Sequence, residues 1–211
     1  WGRTGVPANK TYVLGLTGGI SCGKSAAAQY LVSLGAAHID ADAISRALTA
    51  PGGAALPEIR ELFGNGVFRS DGTLNRAVLG QIVFTDAARR AALEGIIHPR
   101  VRSEILARIG ASDAPVTVLD APLLFEAGLD ALCDTVWSMS LGAREQIERV
   151  CLRDGLTAEQ AQARIDSQLP MAVRNARADQ VIDSGRPIEE TRATLLQLYR
   201  ALPVNNKEAG R

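Results

Sequence analysis

Residues Tyr12–Ser25 read YVLGLTGGISCGKS: an apolar, β-rich run, a glycine turn, then a lysine and a serine that open a helical pattern. From Gly18 to Ser25 the spacing is G-x-x-x-x-G-K-[ST], and each fixed position has a physical task. Gly18 and Gly23 allow backbone conformations closed to other residues, so successive N–H groups can turn inward around an anion. Lys24 adds a mobile positive charge, and Ser25 offers a hydroxyl to Mg2+. The helix that starts here points its unpaired N–H groups and its positive dipole end at the same place. The loop Gly18, Gly19, Ile20, Ser21, Cys22, Gly23, Lys24, Ser25 and Ala26 is therefore expected to hold ATP with magnesium. The flanks agree, since Val13, Leu14, Leu16 and Thr17 make a buried strand and Ala26–Leu34 continue as helix.

Composition narrows the rest. The 211 residues suffice for one good core with a smaller inserted subdomain, and with 46% apolar but only 4% aromatic residues that core must be aliphatic. Lys plus Arg and Asp plus Glu both number 23, so the basic excess of a nucleic-acid-binding protein is missing. Cys22, Cys133 and Cys151 are widely spaced with no C-x-x-C, which argues against a disulfide framework or zinc site and for a reducing cytoplasm. No apolar run has the length of a membrane span, so neither nucleic acid nor membrane is an expected partner. The oligomeric state is not encoded in any feature of the sequence. Residues 1–11 read as a flexible N-terminal extension without the apolar centre of a signal peptide, and 203–211 as a flexible tail.

After the first helix, His38–Asp42 reads as a second strand ending in two carboxylates, and Ala43–Ala50 as a helix stopped by Pro51-Gly52-Gly53. Residues 54–109 are mostly helical, with a turn at Asp71-Gly72 and an interruption or bend expected near Pro99. Strands return at Val116–Asp120, Thr135–Met139 and Gln180–Asp183. The stretch Arg144–Arg177 suggests two helices, one capped by Thr157, and Ile188–Leu202 closes the chain as an amphipathic helix. Strands alternating with helices predict an α/β fold with a five-stranded parallel doubly wound sheet, whose ligands bind beyond the carboxyl ends of the strands.

The ordered set LTGGIxxGKS at Leu16–Ser25, LGAxxIDAD at Leu34–Asp42, Pro51-Gly52, Phe63-Gly64, DGTLNR at Asp71–Arg76, His98-Pro99, PLLFE at Pro122–Glu126, Arg153-Asp154 and ADQVI at Ala178–Ile182 resembles the dephospho-coenzyme A kinase family. The resemblance covers nearly everything from Tyr12 to Tyr199. It implies a P-loop kinase over 12–202 with a core of 12–50, 114–143 and 178–202. It further implies a helical coenzyme A-binding insertion at about 51–113 and a helical lid at about 144–177. The implied reaction moves the γ-phosphoryl group of ATP to the ribose 3′-hydroxyl of dephospho-coenzyme A. Another P-loop nucleotide or small-molecule kinase, or a nucleotide-dependent switch, is the alternative, although the guanine-reading N-K-x-D of a GTP switch is missing.

The same resemblance distributes roles. Asp42 is the candidate to hold the acceptor hydroxyl and take its proton, with Asp40 near the metal shell. In an extended segment these two acids face one side, although Asp42 could instead cap the following helix. Asp120, ending a strand beside the loop, is a further candidate for the metal or for holding the next turn. Arg149 and Arg153 are four residues apart on one helix face, and Arg149, which follows Gln146-Ile147-Glu148, matches the family's lid arginine. Arg46 and Arg76 are candidates for acceptor phosphates. His98 is expected at a helix bend or acceptor pocket, and Leu123 and Leu124 in the pocket wall or in the core.

The chain departs from the usual family loop at Ser21, Cys22 and Ala26. Ser21 stands where glycine is frequent, and its backbone must fit without glycine's access to positive φ. Ala26 lacks a hydroxyl near the α-phosphate. Cys22, among inward N–H groups at a helix N-terminus, is expected either to be a reactive thiolate or to be an inert small residue facing the helix. The late motif lacks an asparagine after Asp183, where Ser184 stands instead.

Overall fold

Strand β1 (Tyr12–Gly18) is the axis of the computed structural model, which describes residues 11–204. The expected flexible ends, 1–11 and 203–211, fall outside the described residues except for Thr11, Pro203 and Val204. All of β1 but Tyr12 is buried. Such burial is the pattern of a strand with neighbours on both edges and layers on both faces.

The five expected strands form one parallel sheet. Its order is β2 (Ala37–Asp40), β3 (Val116–Asp120), β1, β4 (Thr135–Ser140), β5 (Gln180–Asp183). Leu16 of β1 stands opposite Asp120 of β3, and Gly18 opposite Met139 of β4. Because the chain leaves β1 toward β2 and β3 on one side and β4 and β5 on the other, a crevice opens at the carboxyl end of β1. Aspartates just before two strands secure the opposite end. The Val13 N–H donates to Asp134 Oδ2 and the Val136 N–H to Asp179 Oδ2, each at 2.7 Å.

Among the described residues eight α-helices lie between strands and a ninth follows β5: α1 (Lys24–Ser33), α2 (Ala41–Leu48), α3 (Leu56–Phe63), α4 (Arg76–Thr85), α5 (Ala87–Gly110), α6 (Ala143–Asp154), α7 (Ala158–Asp166), α8 (Met171–Arg177) and α9 (Ile188–Arg200). The chain divides into two compact units, one up to Ile39 and from Ile109 on, the other Asp40–Arg108. In the first, Leu14, Leu16, Val118, Trp137 and Met139 of the sheet pack with Leu31 of α1 and Leu195 of α9. In the second, Ile59 of α3 and Leu79 of α4 join Ala55, Val67 and Leu74 in a separate core. There the expected turn forms, with Gly72 at φ 81° and the Thr73 N–H donating to Asp71 Oδ1 at 2.9 Å.

Three expectations are corrected. Helix α5 runs unbroken through Pro99. The carbonyl that a proline leaves without its donor belongs to Gly95. Residues 144–177 contain three helices rather than two, because the seven-residue α8 is too short to show a period. And α2 starts at Ala41, capped by Asp40, whose Oδ1 accepts the Ala43 N–H at 2.8 Å. Asp42 therefore lies inside the first helical turn, so the two acids do not share one strand face as the extended reading had it.

The sheet's tightest position is Gly15, where an added Cβ would come 2.7 Å from Cys133 Sγ and 3.1 Å from Leu124 Cδ2. Gly15→Ala is expected to lower unfolding stability by about 1–3 kcal/mol through overpacking. Urea denaturation measures this, and an unchanged midpoint would mean that the neighbours repack freely.

Candidate active site

The site is built where β1 turns into α1. Gly23, at φ 77°, is the N-cap of α1 and has no side chain to bond the following amides, and the first turn carries no acid. A helix start leaves its first N–H groups without intrahelical partners, and here neither a capping side chain nor a carboxylate answers them. Gly18 does not use positive φ. It is needed for close approach, since a Cβ would meet Met139 O at 2.9 Å. Ser21 does adopt the left-handed conformation its position demands, at φ 60°. Its Oγ is buried with no hydrogen-bond partner among the described residues. A cradle of unpaired donors on a dipole's positive end fits a polyphosphate.

Lys24 Nζ forms an ion pair with Asp120 Oδ1. Asp120 is the last residue of β3, 5% exposed, and its Oδ2 is 3.3 Å from His38 Nε2. Burial alone would raise the Asp120 carboxyl, but the hydrogen bond from His38 and the charge and hydrogen bond of Lys24 together outweigh it and hold the group below the usual carboxylate range. Sequence reasoning gave His38 no role. Its neighbour in space is fixed by the register of β3, which no local pattern reveals.

Beside the loop is a cavity of about 200 Å³ whose lining includes Gly23, Ala26, Tyr30, Arg149, Ser184 and Arg192. Arg149 Nη2 donates to Glu145 Oε1 at 2.8 Å and to the Ser184 carbonyl at 3.0 Å. Arg153, on the same helix, is instead held by both oxygens of Asp154. The structure thus separates the two candidate arginines and brings only Arg149 to the loop's cavity. Ser184 fills the motif's variable position by donating its hydroxyl to the Ser140 carbonyl at 3.0 Å.

In the Asp40–Arg108 unit, Asp40 Oδ2 is 3.5 Å from Arg46 Nη2, and Arg76 Nη2 donates to the Arg46 carbonyl at 3.2 Å. Arg46, Arg76 and Asp40 are therefore brought together. His98 is exposed on α5 beside Pro99, and Asp42 is exposed on α2. Leu124 is fully buried in the core, so of the two leucines only the half-exposed Leu123 has surface to offer a ligand.

Cys22 does not behave as an activated thiol. It is 1% exposed, and burial pushes its pKa up to about 11 despite the opposing charges of Arg174 and Arg149. Arg174 itself is 1% exposed, its Nε and Nη2 lack hydrogen-bond partners among the described residues, and Glu126 Oε1 lies 3.7 Å from Nη2. Burial lowers its pKa while Glu126 pulls it back up. In the sequence MAVRNAR this residue reads as one more surface charge.

A parallel sheet with a G-x-x-x-x-G-K-S loop closing on a helix N-terminus and a lysine paired to a neighbouring strand-end acid defines a P-loop phosphotransferase. The comparisons narrow the class. The dephospho-CoA kinase family profile matches residues 12–190. A dephospho-CoA kinase from Symbiobacterium thermophilum is 44% identical over 192 residues, 90% of this chain and 80% of that one. Among solved structures, TT1252 from Thermus thermophilus has a TM-score of 0.81 at 32% identity, covering 90% of this chain and 97% of that one. The dephospho-CoA kinase from Campylobacter jejuni has a TM-score of 0.69 at 27% identity, covering 92% and 98%. The chain belongs to the dephospho-CoA kinase family.

Two outcomes follow from the loop. Ser21→Gly removes a left-handed L-residue and a buried orphan hydroxyl, and is expected to raise stability by about 0.5–1 kcal/mol, the gain being limited by glycine's greater unfolded-state entropy. A lower melting temperature would show that the hydroxyl contributes a bond of its own. With a pKa of about 11, Cys22 should be ionised in only about one molecule in a thousand at pH 8, so iodoacetamide should label Cys151 first and leave Cys22 intact in the native protein. Rapid native labelling at Cys22, read by peptide mass spectrometry, would overturn that.

Proposed function

We propose that this chain transfers the γ-phosphoryl group of ATP to the ribose 3′-hydroxyl of dephospho-coenzyme A, giving coenzyme A and ADP. The observation that carries the reading is the uncapped, acid-free start of α1 beside Lys24, within a chain of the dephospho-CoA kinase family. The three free cysteines support a cytoplasmic setting, and no described helix is long and apolar enough to cross a membrane.

Phosphoryl transfer asks the protein for position and charge compensation more than for covalent chemistry. The loop amides of Ser21 and of Gly23 to Ala26, together with the Ser21 hydroxyl, bind and orient the phosphates, the Cys22 N–H being held by the Gly19 carbonyl. Lys24 leaves Asp120 to neutralise charge on the transferring group. Arg149, already at the edge of the loop's cavity, compensates the charge spread over the equatorial oxygens. The cavity lined by Tyr30, Ser184 and Arg192 receives the base. Ser25 and Asp40 would hold magnesium, which would supply charge neutralisation to the phosphates. Asp42 orients the acceptor hydroxyl and receives its proton. Arg46 and Arg76 hold the acceptor's phosphates, His98 and Leu123 help form its pocket, the insertion at about 51–113 receives it, and residues of about 144–177 act as the lid.

Purified protein incubated with Mg-ATP and dephospho-coenzyme A should release ADP and yield a product heavier by one phosphoryl group. Asp42→Asn should lower kcat by about 10²–10⁴-fold with little change in ATP affinity, as for loss of a general base. ADP release without acceptor phosphorylation would defeat the reading, and an active Asp42→Asn enzyme would remove Asp42 from its role.

A further inference from the structure

Ile20 contributes its backbone, not its side chain, to a feature the sequence reading left without a role. Gln146 on α6, 3% exposed, donates Nε2–H to the Ile20 carbonyl at 2.9 Å. The Ile20 N–H donates to Gln168 Oε1 at 2.9 Å. Both polar groups of one loop residue are thus taken by amide side chains, one from α6 and one from the connection between α7 and α8. The orientation of each amide is fixed by chemistry, because a carbonyl only accepts and an N–H only donates. Gly19 makes the room: a Cβ there would lie 2.7 Å from Gln146 Nε2 and 2.9 Å from Met171 Cε.

The consequence runs through peptide planarity. The Ile20 carbonyl and the Ser21 N–H belong to one trans peptide and point in opposite directions. Holding the carbonyl on Gln146 therefore turns the Ser21 N–H away from α6, and Ser21 is the residue that takes the strained φ of 60°. The preceding peptide is pinned as well, since the Ile20 N–H is held by Gln168 and the Gly19 carbonyl accepts the Cys22 N–H at 3.2 Å. A strained backbone persists only where its surroundings over-determine it. Gln146 also precedes Arg149 by three residues, so both lie on one face of α6.

We propose that Gln146 and Gln168 are positioning residues for phosphoryl transfer: they clamp the Ile20 peptide groups, which aims the loop amides and sets Arg149 in register with the loop. This rests on the phosphotransfer reading above. The two glutamines act with opposite hydrogen-bond polarity, and isosteric glutamate separates them. Gln146→Glu cannot donate to the Ile20 carbonyl and should lower kcat by roughly tenfold to a hundredfold, the scale of a small misplacement, with the KM for dephospho-coenzyme A unchanged. Gln168→Glu still accepts the Ile20 N–H and should keep kcat within about threefold of the parent, whereas Gln168→Ala should fall with Gln146→Glu. Gln146→Met, which removes the donor without adding charge, should lose as much as Gln146→Glu.

Amide exchange at Ile20 gives a second reading that needs no turnover: protection should be lost in Gln168→Ala and kept in Gln168→Glu, at equal melting temperatures. Parental kcat in Gln146→Met, equal loss in both glutamate variants, or unchanged Ile20 exchange in Gln168→Ala would each overturn the proposal. Should the parent fail to phosphorylate dephospho-coenzyme A, the substrate assignment falls, while Ile20 exchange and ADP affinity by calorimetry still decide the clamp.

Discussion

Everything at this site depends on backbone amides left without protein partners at the start of α1. Some other helices carry a side-chain cap, with Asp40 serving α2, Asn75 serving α4 and Thr157 forming a capping box with Gln160 on α7, whereas α3, α6, α8 and α9 have none. At Gly23 α1 has none either. An open helix start inside a protein is costly unless something of opposite charge completes it. The loop is thus held in a form that is satisfied only with an anion present.

Holding that form takes the rest of the first unit. β1 is buried on both faces, so the point at which it ends is rigid. Met139 on β4 presses so closely on Gly18 that no side chain fits there. The Gln146 and Gln168 bonds to Ile20 fix the outer edge. Charges are kept ready in the same way, Lys24 against Asp120 and Arg149 against Glu145. Each cation has a partner in the free protein, which avoids the penalty of an unpaired charge near the interior.

Much of this was legible in the sequence, for identifiable reasons. Central parallel strands are buried on both faces and read as continuous apolar runs, so VLGLT and VTVLD were plain. The loop was plain because its chemistry demands fixed residues at fixed spacing. The start of α2 was misplaced because IDADAIS offers two acids, either able to cap, and only the backbone decides between Asp40 and Asp42. Gln146, Gln168 and the buried Arg174 were missed for another reason. Their partners lie far off in the chain, 126 residues away for Gln146 and 148 for Gln168, so local patterns see only polar residues on helices. Cys22 was left between a reactive thiolate and an inert small residue because the helix dipole is legible in the sequence and the burial that outweighs it is not.

The Lys24–Asp120 pair carries one more implication. An arriving phosphate meets a lysine already neutralised by an anion that is covalently tethered, nearly dry and anchored on its other side by His38. Capture is therefore an exchange of counter-ions, and only the difference between the two pairings contributes to affinity. A small singly charged anion offers Lys24 little that Asp120 does not already supply. A polyphosphate that engages the loop amides at the same time tips the exchange, so the carboxylate acts as an internal threshold against weak ligands.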